Sequence, residues 1–253
     1  MQIQHDNNFK YIEEGQGPIL LLLHGLFGAM SNFSPLINHF KTTHRVIVPL
    51  LPLYELPARE SDIEHLTAFV HSFILHKNYD KVTLLGNSLG GHLALKYTVL
   101  HPQKVAALVL TGSSGLFENA MGDTYPRRGD YEYIRKKTEF TFYDPKMATK
   151  ELVDELFDIV NEREKVIRVV SIAKSAIRNN MKDDLAYIKV PTMLIWGKDD
   201  QITPPFVADE FHKYIENSDL AFIDKCGHAP MMERPEEFNQ LLSQFFAKLA
   251  AAK

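Results

Sequence analysis

Five consecutive apolar residues, Ile19-Leu20-Leu21-Leu22-Leu23, run directly into His24-Gly25. A strand with one wet face alternates apolar and polar residues, so an unbroken run this short marks a strand buried on both faces. Such strands belong to parallel sheets covered by helices on either side. Arg45 to Pro49, Lys81 to Gly86, Val105 to Thr111, Thr192 to Gly197 and Leu220 to Asp224 read as further strands. Helical patterns fill the gaps. Ser61 to Lys77 follows a Ser61-x-x-Glu64 capping box, Leu89 to Leu100 stops before Pro102, and Pro235 opens a last helix. The alternation predicts an α/β fold with a mostly parallel central sheet flanked by helices.

Between about Ser114 and Ile188 that rhythm breaks. Helical spacings cover Tyr131 to Phe142, Ala148 to Val160 and Arg163 to Arg178, with no strand pair among them. Strands resume at Thr192 as though nothing had intervened. The expectation is a core of residues 1–113 and 189–253, interrupted by a helical insertion over 114–188.

An apolar share of 45% in 253 residues sustains a large core and excludes a disordered chain. Twenty-eight Lys and Arg against 32 Asp and Glu leave a net charge of −4, which argues against nucleic acid or an acidic membrane as main partner. The single cysteine, Cys226, permits no internal disulfide and suits a reducing compartment. The polar first 14 residues lack a signal-peptide core, and no apolar run is long enough to span a bilayer. These features predict a soluble, cytoplasmic protein. Metal-ligand spacings, phosphate loops and dinucleotide fingerprints are absent, so neither a metal nor a cofactor is expected.

Chemistry concentrates at three strand ends. Gly86-Asn87-Ser88-Leu89-Gly90-Gly91 sits where a strand gives way to a helix, a turn that lifts the Ser88 hydroxyl above the sheet. A serine hydroxyl is a poor nucleophile until a base takes its proton. His228, in the loop after the last strand, is the candidate base among eleven histidines. That base needs a carboxylate to fix its tautomer. Asp200 and Asp199 both follow the strand ending at Gly197, and Asp224 is a more distant third. Backbone N–H groups of Leu89 and of Leu26, in the loop His24 to Gly28, are the candidate oxyanion donors. Phe27, Asn87 and Met231 are candidates for contact with a small-molecule substrate. The basic residues Arg127, Arg128, Arg135, Lys136 and Lys137 read as a solvated face of the insertion.

Taken in order, His24-Gly25, the Gly86 to Gly91 turn, Trp196-Gly197-Lys198-Asp199-Asp200 and Gly227-His228 resemble the α/β-hydrolase family over nearly the whole chain. That resemblance implies Ser88 as nucleophile, Asp200 rather than Asp199 as the acid, His228 as the base, and a helical cap over the site. Within the family, Phe140-Thr141-Phe142-Tyr143-Asp144 and Cys226-Gly227-His228 resemble the carbon–carbon hydrolases of aromatic ring-cleavage pathways. Two departures stand against that subgroup: the oxyanion loop is poorer in glycine, and Leu156 takes the place of the cap arginine that grips a dienoate carboxylate. The expected activity is therefore cleavage of carboxylic esters of small to medium acyl compounds. Carbon–carbon bond hydrolysis is the enzymatic alternative, and a triad-retaining small-molecule sensor is the alternative of another class.

Overall fold

The structure, a computed structural model, describes residues 1–28, 33–117 and 127–251. In chain order the elements begin with strands β1 (Gln4–Asp6), β2 (Phe9–Glu14) and β3 (Ile19–Leu23), helix α1 (Ser34–Phe40) and β4 (Arg45–Pro49). Then come α2 (Ile63–His76), β5 (Val82–Asn87), α3 (Leu89–Leu100) and β6 (Val105–Thr111). Helices α4 (Tyr131–Glu139), α5 (Lys150–Asn161) and α6 (Arg163–Arg178) follow before β7 (Thr192–Gly197). The chain ends with α7 (Pro205–Tyr214), β8 (Ser218–Ile223), α8 (Pro230–Glu233) and α9 (Pro235–Ala251).

The eight strands form one sheet in the order β1-β2-β4-β3-β5-β6-β7-β8, antiparallel at β1/β2 and β2/β4 and parallel elsewhere. The leucines of β3 explain why it sits near the centre. Leu21 and Leu23 enter one core with α2, α3 and α7, whereas Leu20 and Leu22 enter a second core with α1 and α9. Side chains alternate across a strand, so only a strand apolar at every position fills both layers. Each fully buried leucine contributes roughly 2 kcal/mol.

From β3 the chain moves outward to β4, then returns to place β5 on the other side of β3. The connections therefore diverge between β3 and β5, and a crevice opens at the carboxyl ends of those strands. The loop His24 to Gly28 and the Ser88 turn both stand there.

One local expectation changes. Ser61 is buried with its hydroxyl on the carbonyl of Pro57, so the cap of α2 is Asp62, whose carboxylate accepts from His65 N–H at 2.8 Å. The N-terminal segment, polar in sequence, forms the β1/β2 hairpin at the sheet edge. The stretch between β6 and β7 contains α4, α5 and α6 and no strand among its described residues; residues 118–126 lie outside them. Helix α6 is tied to the core where Ser175 accepts from Ile63 N–H at 3.1 Å and Arg168 donates to the carbonyl of Leu56 at 2.7 Å.

Candidate active site

Ser88 follows β5 directly and precedes the first turn of α3 with φ 55° and ψ −121°. A positive φ is costly for a residue with a side chain and persists where packing over-determines it. Here packing does so. A Cβ on Gly90 would lie 1.9 Å from the carbonyl oxygen of Leu23, so glycine alone lets α3 approach β3 this closely. The carbonyl of Ser88 accepts from the N–H groups of Gly91, His92 and Ser114, which fixes the turn from three directions.

Asp200 is held by its own loop. Its Oδ1 accepts the N–H groups of Ile202 at 2.8 Å and Thr203 at 2.9 Å, and its Oδ2 accepts the Thr203 hydroxyl at 2.9 Å. Fully buried Trp196 pins this loop, its indole N–H donating to the carbonyl of Thr203 at 2.8 Å. Asp200 Oδ2 also accepts from His228 Nδ1 at 2.9 Å. With a carboxylate as acceptor, Nδ1 carries the hydrogen and Nε2 keeps its lone pair. Asp199 instead faces outward, its carboxylate on the N–H of Cys226 at 3.4 Å, and Asp224 pairs with Lys198 at 2.6 Å in solvent.

His228 rests over Gly112, where a Cβ would come within 2.9 Å of the ring Nδ1 and where φ is +50°. Asn87 holds the histidine's main chain: its Nδ2 donates to the carbonyls of Thr111 at 3.0 Å and His228 at 3.1 Å. Asn87 borders the cavity, but both its amide hydrogens are spent on these carbonyls. His24 secures the neighbouring loop, donating from Nδ1 to the carbonyl of Gly25 at 2.9 Å and accepting Leu51 N–H at Nε2 at 3.1 Å. Burial pushes its pKa down, which keeps the ring in the neutral form these two bonds require.

Ser88 and His228 line one cavity of about 430 Å³, within the range of small-molecule sites. Leu26, Phe27 and Leu89 form part of its lining; Leu152, Leu156 and Val160 of α5 and Ile172, Ala176 and Ile177 of α6 form much of the rest. Leu89 opens α3, so its N–H belongs to the first turn, where a helix provides no carbonyl partner. Met231 lies elsewhere. It is fully buried in the core layer with Phe238 and Leu242, and Met232 borders the cavity in its place.

One cation of the basic run is exposed, as its sequence suggests, and also borders the cavity. Helix α4 stops at Glu139, not Phe142, and Lys137 in its last turn reaches the cavity wall. Lys137 is the one lysine or arginine among the described lining residues, and none of them is an aspartate or glutamate. Its ammonium stands 5.8 Å from the Tyr133 ring centroid and 6.0 Å from that of Phe140. Sequence reasoning missed Thr203, Gly112 and Glu233, since each acts by bonds or clearances to segments distant in sequence. Cys226 is buried, and burial raises its thiol pKa, so it is no reactive thiolate.

Known proteins share the fold and the family of this chain. Residues 20–241 match the model of the alpha/beta hydrolase family. The chain is 30% identical to a 2-hydroxy-6-oxo-6-(2'-aminophenyl)hexa-2,4-dienoic acid hydrolase of Metapseudomonas resinovorans, over 95% of this chain and 88% of that relative. It is 28% identical to the monoacylglycerol lipase ABHD6 of Bos taurus, over 93% of this chain and 77% of the lipase. Among solved structures, MGS-MChE2, an alpha/beta hydrolase enzyme from the metagenome of Mar Chica lagoon sediments, superposes with TM-score 0.82. Its identity is 41%, with 98% of this chain and 99% of that one covered. With the Ser88 turn, the Asp200–His228 pair and the sheet order on the same frame, the chain belongs to the α/β-hydrolase family.

Proposed function

We propose that this hydrolase cleaves carboxylic esters of small to medium acyl compounds by a serine mechanism. The observation that carries the reading is the buried His228–Asp200 pair sharing one largely apolar cavity with the strained Ser88. In this scheme His228 Nε2 takes the Ser88 proton as Oγ attacks the ester carbonyl. The N–H groups of Leu26 and Leu89 receive the developing oxyanion. Collapse of the tetrahedral intermediate breaks the carbon–oxygen bond, and His228 returns the proton to the leaving alcohol. Water, deprotonated by the same base, then clears the acyl group from Ser88.

An uncharged ester needs an apolar wall and two oxyanion donors, and the lining residues offer those. Lys137 favours a second reading, hydrolysis of a carbon–carbon bond in a dienoate, because a carboxylate leaving the solvent needs a cationic partner. The activity named for the Metapseudomonas resinovorans relative agrees with that alternative, and the lipase relative agrees with the first.

Purified protein assayed on p-nitrophenyl esters of graded acyl length and on a ring-cleavage dienoate, beside Ser88→Ala, tests the proposal. Multiple turnover of esters, abolished in the variant, is the expected result. Turnover of the dienoate with esters untouched overturns the ester reading, and turnover of neither overturns both.

A further inference from the structure

Glu233 stands where two segments of the site meet. Its Oε1 accepts the N–H of Gly227 at 2.9 Å and of Ala229 at 3.4 Å, bracketing His228 on both sides. Its Oε2 accepts the N–H of Tyr143 at 2.7 Å. Tyr143 follows Phe140, Thr141 and Phe142, which leave α4 and line the cavity. The carbonyl of Thr141 in turn accepts the N–H of His228 at 2.9 Å. Gly227 is pressed against the same segment: a Cβ there would fall 2.7 Å from the Thr141 oxygen and 2.8 Å from the Tyr143 nitrogen.

Helix α8 is a single turn, and the Glu233 carboxylate folds back to its start, onto the N–H of the N-cap residue Ala229 and of Gly227 before it. That local bond uses one oxygen and leaves the other for Tyr143. Burial works against the charged form and raises the pKa, and the three backbone donors oppose that rise. An acid kept buried against that cost is explained by what it joins.

We infer that Glu233 is a positioning residue that locks the base-bearing loop 227–229 to the cap segment 140–143, so that the placement of His228 and the shape of the cavity wall are set together. The inference rests on reading His228 as the base. The chemistry requires a carboxylate, because both oxygens must accept. Glutamine offers one carbonyl oxygen; turned toward Gly227 and Ala229, it aims its NH₂ at the N–H of Tyr143, donor against donor. Glu233→Gln therefore keeps the loop and releases the cap segment, and Glu233→Ala releases both.

The test compares these two variants with Val70→Ala, a lesion in the core on α2, across the sheet from α9, that reports lost stability alone. Three readouts are taken: kcat and KM on an ester the wild type turns over, the rate of fluorophosphonate labelling at Ser88, and the downfield proton NMR signal of the His228 Nδ1–H. Glu233→Ala is expected to lower kcat and the labelling rate about 10- to 100-fold, as a displaced base does, and to broaden the proton signal. Glu233→Gln is expected to raise KM at least about fivefold, with kcat within about threefold and the proton signal retained, because the wall moves and the base does not. Val70→Ala is expected to lower the thermal midpoint and leave all three readouts in place. If both Glu233 variants follow the Val70→Ala pattern, the inference is overturned, and Glu233→Gln alone decides it if the alanine variant does not fold. A wild type that neither turns over esters nor labels at Ser88 defeats the catalytic reading. The proton signal still decides Glu233 in that case, since an unchanged signal in both variants means it does not hold His228.

Discussion

Asn87, the residue before the proposed nucleophile, donates its side-chain amide to the main-chain carbonyl of His228, the proposed base, at 3.1 Å. The second hydrogen of that amide goes to Thr111, so one side chain fastens the ends of β5 and β6 to the loop that carries His228. Asn87→Ala leaves two buried carbonyls without this donor, at a cost of about 1–3 kcal/mol. Equilibrium unfolding should show that loss, and kcat should fall more than KM rises, because the base shifts and the pocket wall stays. Asn87→Asp should be worse, since it turns a carboxylate toward two carbonyl oxygens. An alanine variant as stable and active as wild type would rule out this fastening role.

The two adjacent aspartates should separate sharply in kinetics. Asp200 is enclosed by Ile202, Thr203 and His228, whereas Asp199 touches only the backbone of Cys226 at the surface. Asp200→Asn is expected to cost up to about 10⁴-fold in kcat by stabilising the wrong imidazole tautomer. Asp199→Asn should stay within about threefold of wild type, as an exposed substitution does. Thr203→Val, which deletes the hydroxyl on Asp200 Oδ2, should fall between them. Steady-state assays of the three variants at one pH check this order.

Stability should depend on pH through His92. It is fully buried, its Nε2–H donates to the carbonyl of Asn179 at 2.9 Å, and burial pushes its pKa from 6.5 down to about 4. The unfolded chain takes up this proton first. The stabilisation is therefore whole above about pH 6.5, declines as pH falls, and is spent near pH 4, a change of about 3 kcal/mol. Buried His24, with its pKa also lowered, acts in the same direction. Urea unfolding between pH 7.5 and 4 should show a steeper loss for wild type than for His92→Gln, whose amide still reaches Asn179. Equal slopes would contradict the assignment.

Lys137 should bias selectivity toward acidic substrates. Lys137→Met is expected to lower kcat/KM for a carboxylate-bearing dienoate about tenfold more than for a neutral aryl ester, a difference of about 1.4 kcal/mol in transition-state binding. Parallel assays of both substrates with both proteins provide the ratio. An unchanged ratio would mean that the ammonium stays in solvent.

Much of this site is legible in the chain because glycine and apolar runs mark the strand ends that carry it. The Ile19 to Leu23 run announces β3, and the glycines around Ser88 announce the turn beside it. The β1/β2 hairpin escaped because an edge strand half in solvent has no such pattern; only Tyr11 and Ile12 of β2 are buried. Side chains that hold the site together left no periodic trace. Asn87 meets His228 across 141 positions, and Glu233 meets Tyr143 across 90. Choosing between Met231 and Met232 required the phase of α8, a four-residue helix too short for periodicity to show. Lys137 is exposed, as the charge run suggests, and that it also borders the cavity depends on where α4 stops.

The central claim is that Ser88 is the one nucleophile of the site. Incubation with a fluorophosphonate, followed by mass mapping of the modified peptide, tests it most directly, since a phosphonyl adduct forms where a base activates a hydroxyl. The account predicts one adduct, on Ser88, lost in Ser88→Ala and slowed on the order of 10³-fold or more in His228→Ala. An adduct on any other residue, or labelling of Ser88 at the same rate without His228, would contradict it.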